Sequence, residues 1–377
     1  MNSIEFYNCP IVKRSIKFEL DSSKKFFVLT GYNGAGKSRI ISIISEAFSA
    51  TRLGKLSNRL SRWVFQAELS NGAKVRALKM EVGGASRDDI EKLADDYKAV
   101  NVDLGEMYRA ATDMVSSRSK ARYTGEAEPN GIPMFCINGG FVPTSLSREE
   151  HETDSDLVQV NLVSFVDEAL YFNFSLNGAE LALEGKTLES NIDRTLWVLI
   201  HAYVARRFDK VQMNELFGQL GSLGKVEELD INNEQVKSLL ANAIQNLRDS
   251  SDLESGPVFA ELNKFYGMTN RKLVWRDDTF KMVLPDDSVV SFIDFSRGEK
   301  AVLALILAAW LYGETAIFLL DEPDLSLHVE WQRMLLPALE RIAPNSQFVI
   351  GTHSPFLVMN TQSETVVNLA KKYKEGN

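Results

Sequence analysis

The chain has 377 residues, 45% hydrophobic and 25% charged, which is enough apolar mass for a sizeable core and room for two or three lobes. A net charge of −9 and a pI near 5.2 exclude a bulk nucleic-acid binder but leave a local basic face open. Two distant cysteines, Cys9 and Cys136, form neither a disulfide framework nor a zinc spacing, and the longest apolar run, Ala301–Tyr312, is too short to span a bilayer.

In chain order, Met1–Leu20 mixes charges with short apolar runs and lacks a signal-peptide pattern, so a cytoplasmic protein is expected. Phe26–Thr30 (FFVLT) reads as a buried strand, Gly31–Ser38 as a glycine-rich turn, and Arg39–Phe48 as a helix from its apolar spacing. Trp63–Leu69 and Lys74–Val82 flank Ser70-Asn71-Gly72 and read as a hairpin. The polar stretch 84–130 reads as a weak helix followed by a loop, and Ile132–Ile137 as a short strand. Residues 190–265 read as helices, and Lys272–Leu284 and Val289–Phe295 as strands. Then come a helix at Ser296–Tyr312, a strand at Ala316–Leu320, a helix at Val329–Ile342, a strand at Gln347–Gly351 and the start of a helix at Pro355. Such alternation predicts an α/β fold with a mostly parallel sheet.

Four motifs carry chemistry. GYNGAGKS (Gly31–Ser38) fits the P-loop pattern in the required strand-to-helix context. Its glycines let backbone amides converge on phosphates at a helix N-terminus, Lys37 reaches the β- and γ-phosphates, and Ser38 ligates Mg²⁺. Asn33, Gly34, Ala35, Gly36, Lys37, Ser38 and Arg39 are therefore expected to hold ATP. AIFLLDEP delivers Asp321 and Glu322 at the carboxyl end of a strand, where open α/β sheets bind ligands. Asp321 is expected to hold Mg²⁺, and Glu322 to orient or deprotonate the attacking water. In FSRGEKA, Ser296 and Glu299 form a capping box; the bland reading is complete without a ligand, but a capped helix start with Gly298 is also an anion site. In GTHSP, His353 follows a strand and is either structural or a γ-phosphate contact.

In this order the motifs resemble the ABC ATPase superfamily: Walker A (GYNGAGKS), signature (FSRGEKA), Walker B (LLDEP) and switch histidine (THS), with Asp324 resembling the D-loop aspartate. EPDLSLHVEWQ is closer to SMC-like, RecF-like and OLD-like heads than to transporters. The resemblance implies a P-loop ABC head with an antiparallel β lobe and a helical insertion. It divides the chain into a core of residues 1–50 and 266–377, a β lobe at 51–145 and a mainly helical lobe at 146–265. It also implies ATP hydrolysis between two heads. Ser296 and Gly298 of one copy would complete the site of Lys37, Asp321 and Glu322 in the other, giving a homodimer or higher homo-oligomer. Gln66 is a candidate for the Q-loop glutamine.

The span between Lys37 and Ser296 is too short for long coiled-coil arms and carries no heptads. No OLD-type nuclease domain is expected in the short stretch after His353. An E-x-K at Glu184–Lys186, with Asp154 and Asp156 upstream, reads as chance, and His151 and His201 lack metal-ligand neighbours. Residues 52–79 hold seven basic side chains (Arg52, Lys55, Arg59, Arg62, Lys74, Arg76, Lys79) against one acid, Glu68. That face suits a nucleic-acid backbone, plain solvation or an acidic partner. The chain resembles the ATPase subunits of anti-phage systems such as Septu, PARIS and some retrons, which implies a separate nuclease or toxin as effector. The alternatives are a DNA-repair ATPase of RecF or SMC type and a scaffold whose bound ATP is structural.

Overall fold

Parallel strands need crossover connections, and the strand–helix alternation at the carboxyl end supplies them. A computed structural model describes residues 1–7, 16–21, 23–53, 63–70, 72, 74–79, 103–121, 134–138, 140–143, 160–173, 190–221, 251–277, 279–314, 316–359, 361 and 365–370. The chain divides into two compact units: residues 1–175, 314–325 and 345–377, and residues 176–313 and 326–344.

The first unit holds two six-stranded sheets. One is antiparallel, in the order β2 (Ile16–Glu19), β1 (Ser3–Tyr7), β4 (Trp63–Glu68), β5 (Lys74–Lys79), β6 (Met134–Asn138), β7 (Gly140–Pro143). The other runs β15 (Val366–Asn368), β3 (Phe26–Thr30), β14 (Gln347–Gly351), β13 (Ala316–Asp321), β8 (Asn161–Val166), β9 (Ala169–Phe172). It is parallel except for β9, which returns along β8 through Asp167 and Glu168 at φ 51° and 58°, the left-handed turn that matches strand twist. Helix α1 (Lys37–Leu53) contacts strands of both sheets. This explains why Ile40, Ile41, Ile43, Ile44, Ala47 and Phe48 are all buried, in one cluster with Phe6, Phe65, Leu319 and Val349. A helix covered on two sides needs a wider apolar stripe than a surface helix.

The second unit contains α3 (Asn191–Gly221), α4 (Pro257–Gly267), the meander β10 (Lys272–Arg276), β11 (Thr279–Val283), β12 (Val289–Ser291), α5 (Arg297–Tyr312) and α6 (Val329–Ile342). Residues 301–309 of α5 are buried on every side, as the all-round apolar run predicts. Phe259 stacks on Phe280, while Phe265 and Tyr266 both meet Trp331 edge-on.

Several elements differ from the sequence reading. Lys272–Leu284 is a hairpin rather than one strand, because Asp277 turns the chain at φ 50°. The helix expected in the polar stretch is present as α2, residues 104–121, opened by Asp103, whose Oδ1 accepts the Glu106 amide at 2.9 Å. Within the span 146–265, expected to be a mainly helical lobe, β8 and β9 instead join the parallel sheet beside β13. Strands β1 and β2 pair with β4, so the antiparallel sheet starts before residue 51. The E-x-K triplet, Asp154, Asp156, His151, Lys55, Arg59, Arg62 and Asn71 lie outside the described residues.

Candidate nucleotide site

β3, β14 and β13 are adjacent and parallel, so their carboxyl ends open at one edge of the sheet. β3 leads into the loop 31–36, in which Gly34 and Gly36 take φ 80° and 95°, values that disfavour any side chain. α1 then begins at Lys37, and its first amides have no acceptor within the helix. An open cleft of about 640 Å³ lies at this edge, lined by Thr30, Gly31, Tyr32, Asn33, His353 and Asn368.

The polar side chains converge here. Lys37 is 5% exposed; its Nζ contacts His353 Nε2 and lies 3.5 Å from Glu322 Oε1. Ser38 Oγ donates to Asp321 Oδ1 at 3.0 Å. The His353 amide donates to Glu322 Oε2 at 3.3 Å, and His353 Nε2 lies 3.4 Å from Glu322 Oε1. Glu322 adopts φ 48°, uncommon for a residue with a Cβ, and its amide donates to Gly351 O at 2.8 Å. A non-glycine residue held there marks a turn fixed by its surroundings. Burial pushes the Asp321 carboxyl above its ordinary value; Glu322 adds to this, while Ser38 and Lys37 pull it down. Ser38 and Asp321 form an all-oxygen pair suited to Mg²⁺, which takes phosphate and water oxygens as its remaining ligands.

The family described as "AAA domain, putative AbiEii toxin, Type IV TA system" matches residues 179–360. The chain is 25% identical to "Retron Ec83 probable ATPase" of Escherichia coli, across 93% of this chain and 68% of that one. It is 28% identical to "Retron Vc95 probable ATPase" of Vibrio cholerae serotype O1 biovar El Tor, across 36% of this chain and 30% of that one. It also aligns with the SMC head domain from Thermotoga maritima at TM-score 0.41 and 13% identity, covering 96% and 92% of the two chains.

These matches and the converging Lys37, Ser38 and Asp321 support a P-loop ATPase that resembles the ABC type.

Ser296 and Gly298, the candidates for the signature serine and glycine, lie in the second unit. Ser296 caps α5: its Oγ accepts the Glu299 amide at 3.3 Å, and its own amide donates to Glu299 Oε2 at 2.7 Å. The other Glu299 oxygen pairs with Arg271. A Cβ on Gly298 would stand 2.5 Å from Ser326 O, so the residue is glycine because backbone passes that close. Arg39 is half-buried in the first turn of α1, with its Nε lacking a hydrogen-bond partner. Gln66 lies inside β4 opposite Glu5 and Arg76, in a strand rather than a loop.

Asp324 points inward. It is 5% exposed, and its Oδ1 accepts the Thr352 hydroxyl at 2.5 Å. Sequence reasoning missed Thr352 and Gly351 as parts of the site. Thr352 stood beside His353 in the motif, but only the fold shows what it bonds. Gly351 gave no signal beyond being a glycine at a strand end.

Proposed function

We propose that the chain binds Mg-ATP at this edge of the sheet and hydrolyses it, with two copies closing head to head on the nucleotide. The observation that carries this is the meeting of Lys37, Ser38, Asp321, Glu322 and His353 at the ends of three neighbouring parallel strands and the P-loop. The loop amides and Lys37 hold the phosphates, together with Asn33, Gly34, Ala35, Gly36 and Arg39. A phosphate oxygen competes with Glu322 for the Lys37 ammonium, so nucleotide binding releases Glu322 to accept a proton from the attacking water. His353 then contacts the γ-phosphate. Ser38 and Asp321 would hold Mg²⁺, which supplies charge neutralisation between carboxylate and phosphate. Water adds to the γ-phosphorus, the β–γ bridging oxygen leaves with ADP, and the proton from water passes to Glu322. Ser296 and Gly298 of a second copy complete the site.

This cycle serves as a sensor or regulatory step in a cytoplasmic anti-phage defence system, controlling a separate effector nuclease or toxin. The similarity to proteins named as retron ATPases supports that setting. Among the described residues no helix is long and apolar enough to cross a membrane. A second reading, direct action on DNA, draws on the basic residues of 52–79, three of which (Lys74, Arg76, Lys79) fall on β5. Charge reversal of these three should abolish DNA-stimulated hydrolysis on that reading and leave activity unchanged on the first.

The testing experiment is the solution mass of Glu322→Gln with and without Mg-ATP. An ATP-dependent doubling that is lost on adding Ser296→Arg supports the shared site. A constant monomer sinks head-to-head closure.

A further inference from the structure

The segment that carries His353 is fastened by a hydrogen-bond relay. β14 ends at Gly351, and the Thr352 amide donates to Leu29 O at 3.1 Å, tying the segment to the P-loop strand. The fully buried Thr352 hydroxyl donates to Asp324 Oδ1 at 2.5 Å, and its oxygen accepts the Ser354 amide at 2.9 Å. Ser354 in turn caps α7 (Pro355–Val358), accepting the amides of Phe356 and Leu357. His353 therefore sits between two residues held through one hydroxyl, and that hydroxyl is anchored by one buried carboxylate. The same short turn carries Glu322, whose amide bonds Gly351 O. Two links join this turn to the end of β14, one at Gly351 and one at Thr352, the two residues just before the histidine.

We infer that Asp324 is a positioning residue for His353, acting within its own copy through Thr352, rather than a group that reaches the nucleotide of a second copy. A hydroxyl that donates to a charged acceptor becomes a better acceptor itself, so the Asp324 carboxylate stiffens the Ser354 bond as well as the Thr352 bond. The pairing fixes where the imidazole stands relative to Lys37 and Glu322. The role rests on the hydrolysis reading above, but the position of the histidine is measurable without hydrolysis.

The experiment compares Asp324→Ala, Thr352→Val and Thr352→Ser in the full chain. It measures steady-state ATPase rates and the His353 imidazole resonances in NMR spectra, assigned with His353→Ala. Thr352→Val keeps the side-chain shape and removes only the relay; melting curves check that each variant is folded. Asp324→Ala and Thr352→Val should each lower kcat by roughly 10- to 100-fold, with KM for ATP held within about twofold. Both should shift the His353 resonances, while Thr352→Ser stays near wild type in both respects. In a His353→Ala background, Thr352→Val should add less than about a twofold loss, because a residue acting through the histidine has nothing left to position. A purely structural role would add its loss in either background and so overturns the inference. Unmoved His353 resonances overturn it whether or not the wild-type chain turns over ATP. So does an Asp324→Ala defect in ATP-dependent association that Thr352→Val does not share, which would assign the carboxylate to the contact between copies. Moved resonances in a chain that hydrolyses nothing support the positioning role and defeat the hydrolysis reading alone.

Discussion

Gly351→Ala is the most direct test of how tightly the P-loop and Walker B strands are packed. A Cβ there would stand 2.9 Å from Ile41 Cδ1, 3.1 Å from Asp321 Oδ1 and 3.3 Å from Lys37 Cβ. Ile41 is fully buried, so its methyl has little room to retreat. Asp321 Oδ1 is pinned by Ser38 at 3.0 Å, and Lys37 Cβ belongs to the first turn of α1. Over-packing a site of this kind costs about 1–3 kcal/mol. The melting temperature should fall by roughly 2–4 °C per kcal/mol, taking the figure for mid-sized domains. The strain falls on Lys37 and Asp321, the two groups proposed to bind phosphate and Mg²⁺, so kcat/KM for Mg-ATP should fall at least about tenfold, equivalent to ~1.4 kcal/mol of transition-state stabilisation. Gly267→Ala is the control: nothing lies within 4 Å of its Cβ position at the end of α4, and removing a helical glycine should be neutral or stabilising by up to about 1 kcal/mol. Calorimetry and a coupled phosphate-release assay read both quantities. Wild-type melting and wild-type turnover in Gly351→Ala would falsify the packing described for this edge.

Lys37→Ala should abolish ATP binding by isothermal titration, whereas Glu322→Gln should retain binding and lose hydrolysis by about 10²-fold or more; equal binding by both would contradict the roles given to them. Gly298→Ala should destabilise the second unit by about 1–3 kcal/mol, because the backbone oxygen of Ser326 at 2.5 Å cannot yield, and chemical denaturation measures this. Lys300 and Asp193 are 12% and 5% exposed and within 2.7 Å; Lys300→Met leaves the carboxylate buried without its cation and should cost about 3–5 kcal/mol in the same assay. For Glu261, burial pushes the carboxyl up, but Arg341 and Lys264 prevail and hold it below its ordinary value. A lowered folded value means that this contribution is intact above the unfolded pKa and lost as pH falls through the folded one. Arg341→Met should therefore flatten the acid-side loss of stability below about pH 4.3, and an unchanged acid limb would count against the pairing.

Much of the site was legible in the chain because its chemistry is local. A phosphate loop needs glycine at set offsets and a lysine and serine opening a helix, so Gly31–Ser38 shows itself within eight residues. Asp321 and Glu322 follow a buried apolar strand, and the capping box at Ser296 and Glu299 is a contact between near neighbours, visible in spacing alone. The all-round apolar helix Ala301–Tyr312 was readable as buried for the same reason.

What the chain concealed depends on residues far apart in sequence. The apolar run Asn161–Val166 has no period that separates strand from buried helix, and only the free edge of β13 decides it. Short strands such as Val366–Asn368 gain their identity from the neighbour they pair with. Asp324 resembles a D-loop aspartate in sequence, but only the fold shows it turned onto Thr352, and Gly351 reads as an ordinary glycine until α1 and β13 crowd it. Sequence determines bonds between residues a turn apart, because backbone geometry fixes those distances. Contacts between strands and across the sheet edge exist only once packing has chosen the neighbours, so the positions of His353, Asp324 and Gly351 belong to the tertiary structure.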